Sequence, residues 1–491
     1  MVTLNIRHLN PAESLGIEPS EPTGLRKMSD GMKRQPKISR TALTIALVAG
    51  FGWGCQAAKE APRPYGLDSR PGSKAYLLMP GTEDGPLPFL LSQTGAFQET
   101  RTLTPSGGLI PYDLNVPFWS DGASKSRWMA LPGETLSNAE SIAFAPTGEW
   151  TFPDGTVFIK HFELVTDETK PQARRRLETR LLVRDSTGGV YGVTYKWRAD
   201  NSDAELLKES LTERILIKTA SGTRTQRWYY PSRADCRTCH TTNAGGVLGV
   251  KTRQMNRDYT YPMTRVTDNQ LRAWNHAGLF RPMINEEDIP TFPRLVGADD
   301  TSGSLEQRAR SYLDANCAQC HRPGAAMSYF DARFDTPLPK QNLLDAPVVI
   351  DQGIDNARAI APKDPWRSVI LLRTETLEPI KMPPLAHEII DQKGVRLLKD
   401  WIEGLPGPPV LEPPTIFPPG GEFKGALQVR LKHSDPAARV HYTLDGSVPG
   451  KSAAVYDGPI ELSGPTTVRA KAYKPGFTKS ITVQETFIIG D

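Results

Sequence analysis

The chain has 491 residues, with 59 basic and 55 acidic side chains and a formal net charge of +4. That near balance leaves no polybasic face for nucleic acid or an anionic membrane surface, and the length implies two to four domains. Glycine and proline are plentiful (41 and 43), which suits a β-rich, loop-rich secreted protein better than a helical bundle.

At the N-terminus, Lys33, Arg34, Lys37 and Arg40 precede an apolar run from Thr41 to Gly54. The run is too short to span a bilayer and is followed at once by Cys55, which is a secretory signal layout with a cysteine at the cleavage point. It resembles a bacterial lipoprotein signal, in which that cysteine is lipidated, although Trp53 departs from the usual lipobox. The alternative is an ordinary signal peptide with Cys55 near the cut. The stretch before Met28 or Met32 reads as a tail upstream of the start, and residues 1–55 are set apart from the fold.

Residues 56–230 read as a β-rich domain. Ala61-Pro62-Arg63-Pro64 and Arg70-Pro71-Gly72-Ser73 are loops. Thr156 to Leu164, Leu177 to Val183 and Val190 to Arg198 are strand-like; the last places Tyr191, Val193, Tyr195 and Trp197 on one face at period two. Ile215, Ile217, Trp228 and Tyr230 continue the pattern. The reading is an antiparallel meander of at least five strands, with His161 a strand histidine before it is a ligand, and Arg174-Arg175-Arg176 a solvated strand end.

The next stretch, 231–300, contains Cys236-Arg237-Thr238-Cys239-His240. C-x-x-C-H is the attachment signature of a c-type haem: two thiols add to the two vinyl groups of one haem edge, and the histidine ligates the iron beneath the ring. No amphipathic helix precedes this motif. A helix follows it, capped by Thr267 or Asp268 and ended by Gly278. The sixth ligand of the iron is open among Met255, Met263, His276 and His161, and an open sixth position is a further alternative.

The second match, Cys317-Ala318-Gln319-Cys320-His321, lies in residues 301–405. Ser304 with Gln307 forms a capping box, and Leu305, Ala309, Tyr312 and Leu313 share a helical stripe leading to Cys317. Asp391 caps a second helix with Val395, Leu398 and Ile402 on one face. A helix before the motif and one at the domain end is the layout of class I cytochrome c. Between them, Met382 precedes two prolines in a rigid loop and is the expected axial ligand opposite His321, ahead of His387 and Met327. The two haems are expected in separate structural units. The haem-binding residues together are Cys236, Cys239, His240, Cys317, Cys320, His321 and Met382, with His240, His321 and Met382 on the iron. The alternative to two haems is a zinc held by both Cys-x-x-Cys pairs, which leaves the adjoining histidines without a role.

Pro406-Gly407-Pro408-Pro409 and Pro413-Pro414 read as a stiff linker to residues 410–491, where short strands and the turns Asp445-Gly446 and Pro475-Gly476 give a small Ig-like β-sandwich. Tyr442 to Pro449, with Val468-Arg469-Ala470-Lys471-Ala472, resembles the C-terminal domain of chitobiase and β-hexosaminidase. That resemblance implies an accessory module without catalytic residues, serving as a spacer or in carbohydrate binding.

The two haem motifs in this order, with Tyr65 to Pro71 and Val116-Pro117-Phe118-Trp119-Ser120-Asp121-Gly122, resemble a family of exported bacterial di-haem c-type cytochromes of unassigned role. The resemblance covers about residues 65 to 405 and implies two covalent haem c groups and electron transfer; it implies no substrate. Phe152 to Val157 with Lys160 is also similar to the cytochrome P460 family, over too short a stretch to carry its cross-link chemistry. The expected architecture is multidomain: an antiparallel β-rich N-terminal domain, a helical class I cytochrome c-like domain and a C-terminal sandwich. The expected setting is the periplasm or cell surface, lipid-anchored to a membrane, with a redox partner protein or dehydrogenase and no nucleic acid. The competing readings are an enzyme acting on peroxide or a small nitrogen oxide at an open first haem, and a polysaccharide-associated binding protein.

Overall fold

Alternating apolar residues from Leu109 onward build one antiparallel sheet. In the computed structural model, which describes residues 64–133, 140–325 and 329–490, its strands are β1 (Leu109–Pro111), β2 (Ser124–Ala130), β3 (Val157–Val165), β4 (Arg174–Arg184), β5 (Val190–Trp197) and β6 (Ala204–Leu206). Each pairs with its sequence neighbour, so the sheet is a meander of six strands. Period two divides its faces. Val157, Ile159, Leu181, Val183, Tyr191, Val193, Tyr195 and Trp197 turn to one side and bury against Met79, Leu91 and Phe97. Phe158, Lys160, Phe162, Arg180, Leu182 and Gly192 turn to the other and line a cavity.

A long hairpin, β7 (Leu211–Thr219) and β8 (Gly222–Tyr230), follows. Its Ile215, Ile217, Trp228 and Tyr230 cover Phe162, Leu164 and Leu177 at one end of the sheet. Of the arginine run at the start of β4, Arg174 is exposed while Arg175 and Arg176 are partly covered. Arg175 pairs with Glu213 of the hairpin at 2.6 Å, and the Arg176 guanidinium lies 4.8 Å from the centre of the Trp197 ring.

Residues 231–296 pack back onto the cavity face. Trp150, Phe158, Met255, Trp274, Leu279 and Phe280 share one core, so this segment and the sheet are a single packing unit. The helix α1 (Arg233–Cys239) carries the first motif, and α2 (Gln270–His276) begins after Asn269, whose side chain accepts from the Leu271 N–H. Thr267 and Asp268 are not the cap. They precede Asn269 in a short strand paired with Asp258–Thr260, and it is the last residue of that strand whose side chain reaches the first-turn N–H.

The second motif follows α3 (Leu305–Asn316), capped by Ser304 and Gln307 acting reciprocally. Helix α4 (Val369–Glu375) and helix α5 (Gln392–Gly404), the latter capped by Asp391, complete this part. Leu313, Leu371, Val395, Leu398, Trp401 and Ile402 form its core. The crossing of α3 and α5 is close because Gly394 has no side chain: a Cβ there would lie 2.4 Å from the Tyr312 ring.

The chain ends in two facing sheets around Val429, Leu431, Val468 and Phe487, a β-sandwich. The proline stretch before it is bonded to it rather than free: Leu411 N–H donates to Thr478 O and Thr478 N–H to Pro409 O. Arg367 donates to the carbonyls of Lys479 and Ser480, at 3.0 and 2.9 Å. Among the described residues no helix is long and apolar enough to cross a membrane. Cys55, Met28 and Met32 lie outside the described residues, as does Met327.

Candidate functional site: two motifs around one cavity

The first motif is placed by a cap and a glycine. Ser232 Oγ accepts from the Asp235 N–H while the Asp235 carboxylate accepts from the Ser232 N–H, at 2.8 Å, so α1 starts directly after β8. One turn later Cys236 lies against β5 over Gly192, where a Cβ would stand 2.8 Å from the sulfur. Any larger residue would push the helix off the sheet. Cys236, Cys239 and His240 all face the cavity.

His240 is oriented by its far nitrogen. Nδ1 is 2.7 Å from Gly246 O, and a carbonyl only accepts, so Nδ1 carries the hydrogen and Nε2 keeps its lone pair. Burial, with Lys160 and Arg180 nearby, lowers its pKa to about 4, so the ring is neutral at pH 7. A neutral imidazole held through Nδ1 is the form that ligates a metal.

The second motif approaches the same place. Cys239 and Cys320 are close enough that each perturbs the other's thiol, which raises the pKa of Cys239 and lowers that of Cys320. Burial pushes Cys317 up to about 12. His321 is lowered to about 4 by burial and by Arg373, and its ring stacks on Phe330 with centroids 4.4 Å apart. Met382 is half-buried, and its N–H donates to Arg373 O at 2.7 Å. Arg373 thus joins the Met382 loop to the surroundings of His321. His387 is buried further along that loop, and its Nδ1 has no hydrogen-bond partner among the described residues. Leu385 and Ala386 of the loop line the cavity of the first motif.

Two features tie the halves together. The segment Val116–Gly122 acts as a clasp. Trp119 N–H donates to Asn316 at the end of α3, its indole donates to Ile389 O, and Asp121 accepts from the N–H groups of Glu388 and Ile389. Burial raises Asp121 to about 6 against those two bonds. Beside it is a buried charge cluster. Asp314 of α3 meets Arg253 at 2.9 Å and Lys251 at 3.2 Å, while Glu149 is reached by Lys251 and Arg322. Burial alone would raise Asp314, but the two cations outweigh it and hold it at about 2.

None of the four residues considered as sixth ligand at the first motif lines the cavity. His161 is on the opposite sheet face, its Nδ1 2.8 Å from Thr179 Oγ1 and its ring edge-on to Trp197. Met255 is in the core, Met263 is 84% exposed, and His276 stacks on Tyr65. What sequence reasoning missed is the cationic wall of β2, β3 and β4; its signal was Lys160 and Arg180 at even-numbered positions, on the same strand faces as Phe158, Phe162 and Leu182.

The cavity offers apolar walls from Tyr112, Leu114, Phe158 and Val247. The two thiols and the tautomer of His240 fit a covalent haem at the first motif. Among the described residues no three His, Cys, Asp or Glu side chains converge as a metal cage.

Residues 418–485 match the family model of the chitobiase/beta-hexosaminidase C-terminal domain, so the terminal sandwich is similar to that accessory module. No curated protein matches the chain. No solved structure matches it either.

Proposed function

We propose that this chain is an exported c-type cytochrome that binds two haem groups covalently and passes electrons, with a C-terminal accessory β-sandwich. The observation that carries the reading is the contact between Cys239 and Cys320, which places two complete C-x-x-C-H motifs edge to edge. When bound, haem supplies the one-electron iron couple. The chain supplies everything else. Cys236 and Cys239 anchor one edge, His240 presents Nε2, and Cys317, Cys320 and His321 repeat the arrangement. Met382 would hold the second haem through its thioether, and its N–H bond to Arg373 fixes the loop. The crossing of α3 and α5 over Gly394 supports reading residues 301–405 as a class I cytochrome c-like unit. The signal segment supports export to the periplasm or cell surface, with Cys55 as a lipid anchor and a redox protein or dehydrogenase as partner.

The second reading is small-molecule redox chemistry, on peroxide or a nitrogen oxide, at the first site. It is favoured by the cavity beside His240, which neither methionine nor a second histidine lines. Polysaccharide binding through the terminal module is a third.

A pyridine haemochrome assay on exported protein tests the proposal. Two haems per chain are expected, falling to one in Cys236→Ser/Cys239→Ser and to one in Cys317→Ser/Cys320→Ser. Colour that acid–acetone extraction removes from the wild type overturns it. Optical and EPR spectra of both oxidation states then separate the first two readings, because an open first site is high-spin.

A further inference from the structure

The wall of the cavity opposite the motifs is a row of cations. Arg127 of β2, Lys160 of β3 and Arg180 of β4 are direct cross-strand neighbours, Arg127 opposite Lys160 and Lys160 opposite Arg180. All three face the cavity, and Lys125 joins them from β2. Like charges side by side on one sheet face destabilise it, the more so out of water.

The protein neutralises only part of this row. Arg127 meets Asp113 at 2.6 Å, and Arg180 is held through two nitrogens by Glu178. Lys125 donates only to a carbonyl, Phe118 O. Lys160 makes no hydrogen bond or ion pair among the described residues, and its Nζ lies 6.0 Å from the centre of the Phe162 ring. The carboxylates on the other cavity walls are already engaged: Glu149 and Asp314 by Lys251, Arg253 and Arg322, and Asp235 by Ser232. Two lysine side chains therefore face the cavity with no carboxylate in an ion pair. Burial and the flanking guanidiniums lower Lys160 to about 7 against the smaller opposing pull of Cys236 and Glu178.

We propose that the row Arg127–Lys160–Arg180, with Lys125, is an anion-binding site for carboxylate or small oxyanion groups, centred on Lys160. The same chemistry has two sources: the propionates of a haem bound at the first motif, or a free oxyanion entering the cavity. The site itself rests on the sheet wall alone and does not require the haem reading.

The test uses the full haem-loaded protein, Lys160→Met and Lys160→Arg, with folding checked by thermal melting and haem counted on each sample. Methionine matches the length of lysine and removes a buried charge, so the variant is expected to fold. Inorganic phosphate is the calorimetric probe, and the potential of the first haem is the second readout. Saturable phosphate binding that weakens about tenfold or more in Lys160→Met and returns in Lys160→Arg assigns the site to a free oxyanion. No phosphate binding, but a potential that falls in Lys160→Met and recovers in Lys160→Arg, assigns it to the propionates. If the chain carries no haem, the functional reading fails separately, and Lys160-dependent phosphate binding alone decides the site. Phosphate binding and potential both indifferent to Lys160→Met overturn the proposal.

Discussion

Cys239 and Cys320, eighty-one residues apart in sequence, lie close enough that the one thiol is pushed up and the other down in pKa. The two attachment motifs are therefore neighbours rather than tenants of separate units. In protein made without haem attachment, these two thiols are the pair that air oxidation joins first. A non-reducing peptide map is expected to show a Cys239–Cys320 disulfide, and Cys320→Ser to abolish it. A map dominated by Cys236–Cys239 and Cys317–Cys320 links would contradict the contact.

Met382 is the proposed axial ligand of the second haem. Met382→Ala is expected to remove the long-wavelength methionine–ferric haem band and to lower one potential by about 0.1 V or more, within the roughly 0.8 V that axial ligands command. Because the two motifs touch, the other potential is expected to move as well, by less. If neither the spectrum nor the potentials change, the ligand is elsewhere and His387 is the next residue to replace.

Gly192 seats α1 on the sheet. Gly192→Ala puts a Cβ 2.8 Å from the Cys236 sulfur, so the first motif must lift away. Haem content is expected to fall toward one per chain, while the second motif loads normally. Mass spectrometry of the two haem peptides distinguishes the sites.

Gly394 lets α3 and α5 touch. Gly394→Ala drives a methyl to 2.4 Å from the Tyr312 ring, an overpacking that costs roughly 1–3 kcal/mol. Urea melts should show that loss. Tyr312→Leu in the same chain should recover part of it, because the clash is with the ring.

Asp314 supplies an acid-sensitive contribution. Its folded pKa of about 2 lies below the ordinary carboxylate value, so its contribution is full above about pH 4 and is lost as pH falls toward 2. The shift corresponds to roughly 2 kcal/mol. Stability measured from pH 5 to 2 should drop along that window. In Asp314→Asn the neutral-pH stability should be lower by about 3–5 kcal/mol, as for any buried pair with one partner removed, and the slope shallower.

Several features were legible from the residues alone. Period-two patterning from Thr156 to Trp197 sets strands and faces, because each residue contributes its side chain to alternate sides. Ser304 with Gln307 and Asp391 mark helix starts through local hydrogen bonds. The turns and strands after Pro414 announced the sandwich whose family model matches residues 418–485. What the sequence did not determine is long-range. The meeting of Cys239 with Cys320 depends on the Trp119–Asp121 clasp and the Asp314 cluster, whose partners lie from about sixty to more than two hundred and sixty residues apart. The unpaired state of Lys160 depends on what fills the opposite cavity wall. His161 was turned from the cavity by strand register alone, one residue away from Lys160. Register and contact between distant segments are settled by the burial of whole faces, and no local pattern encodes them.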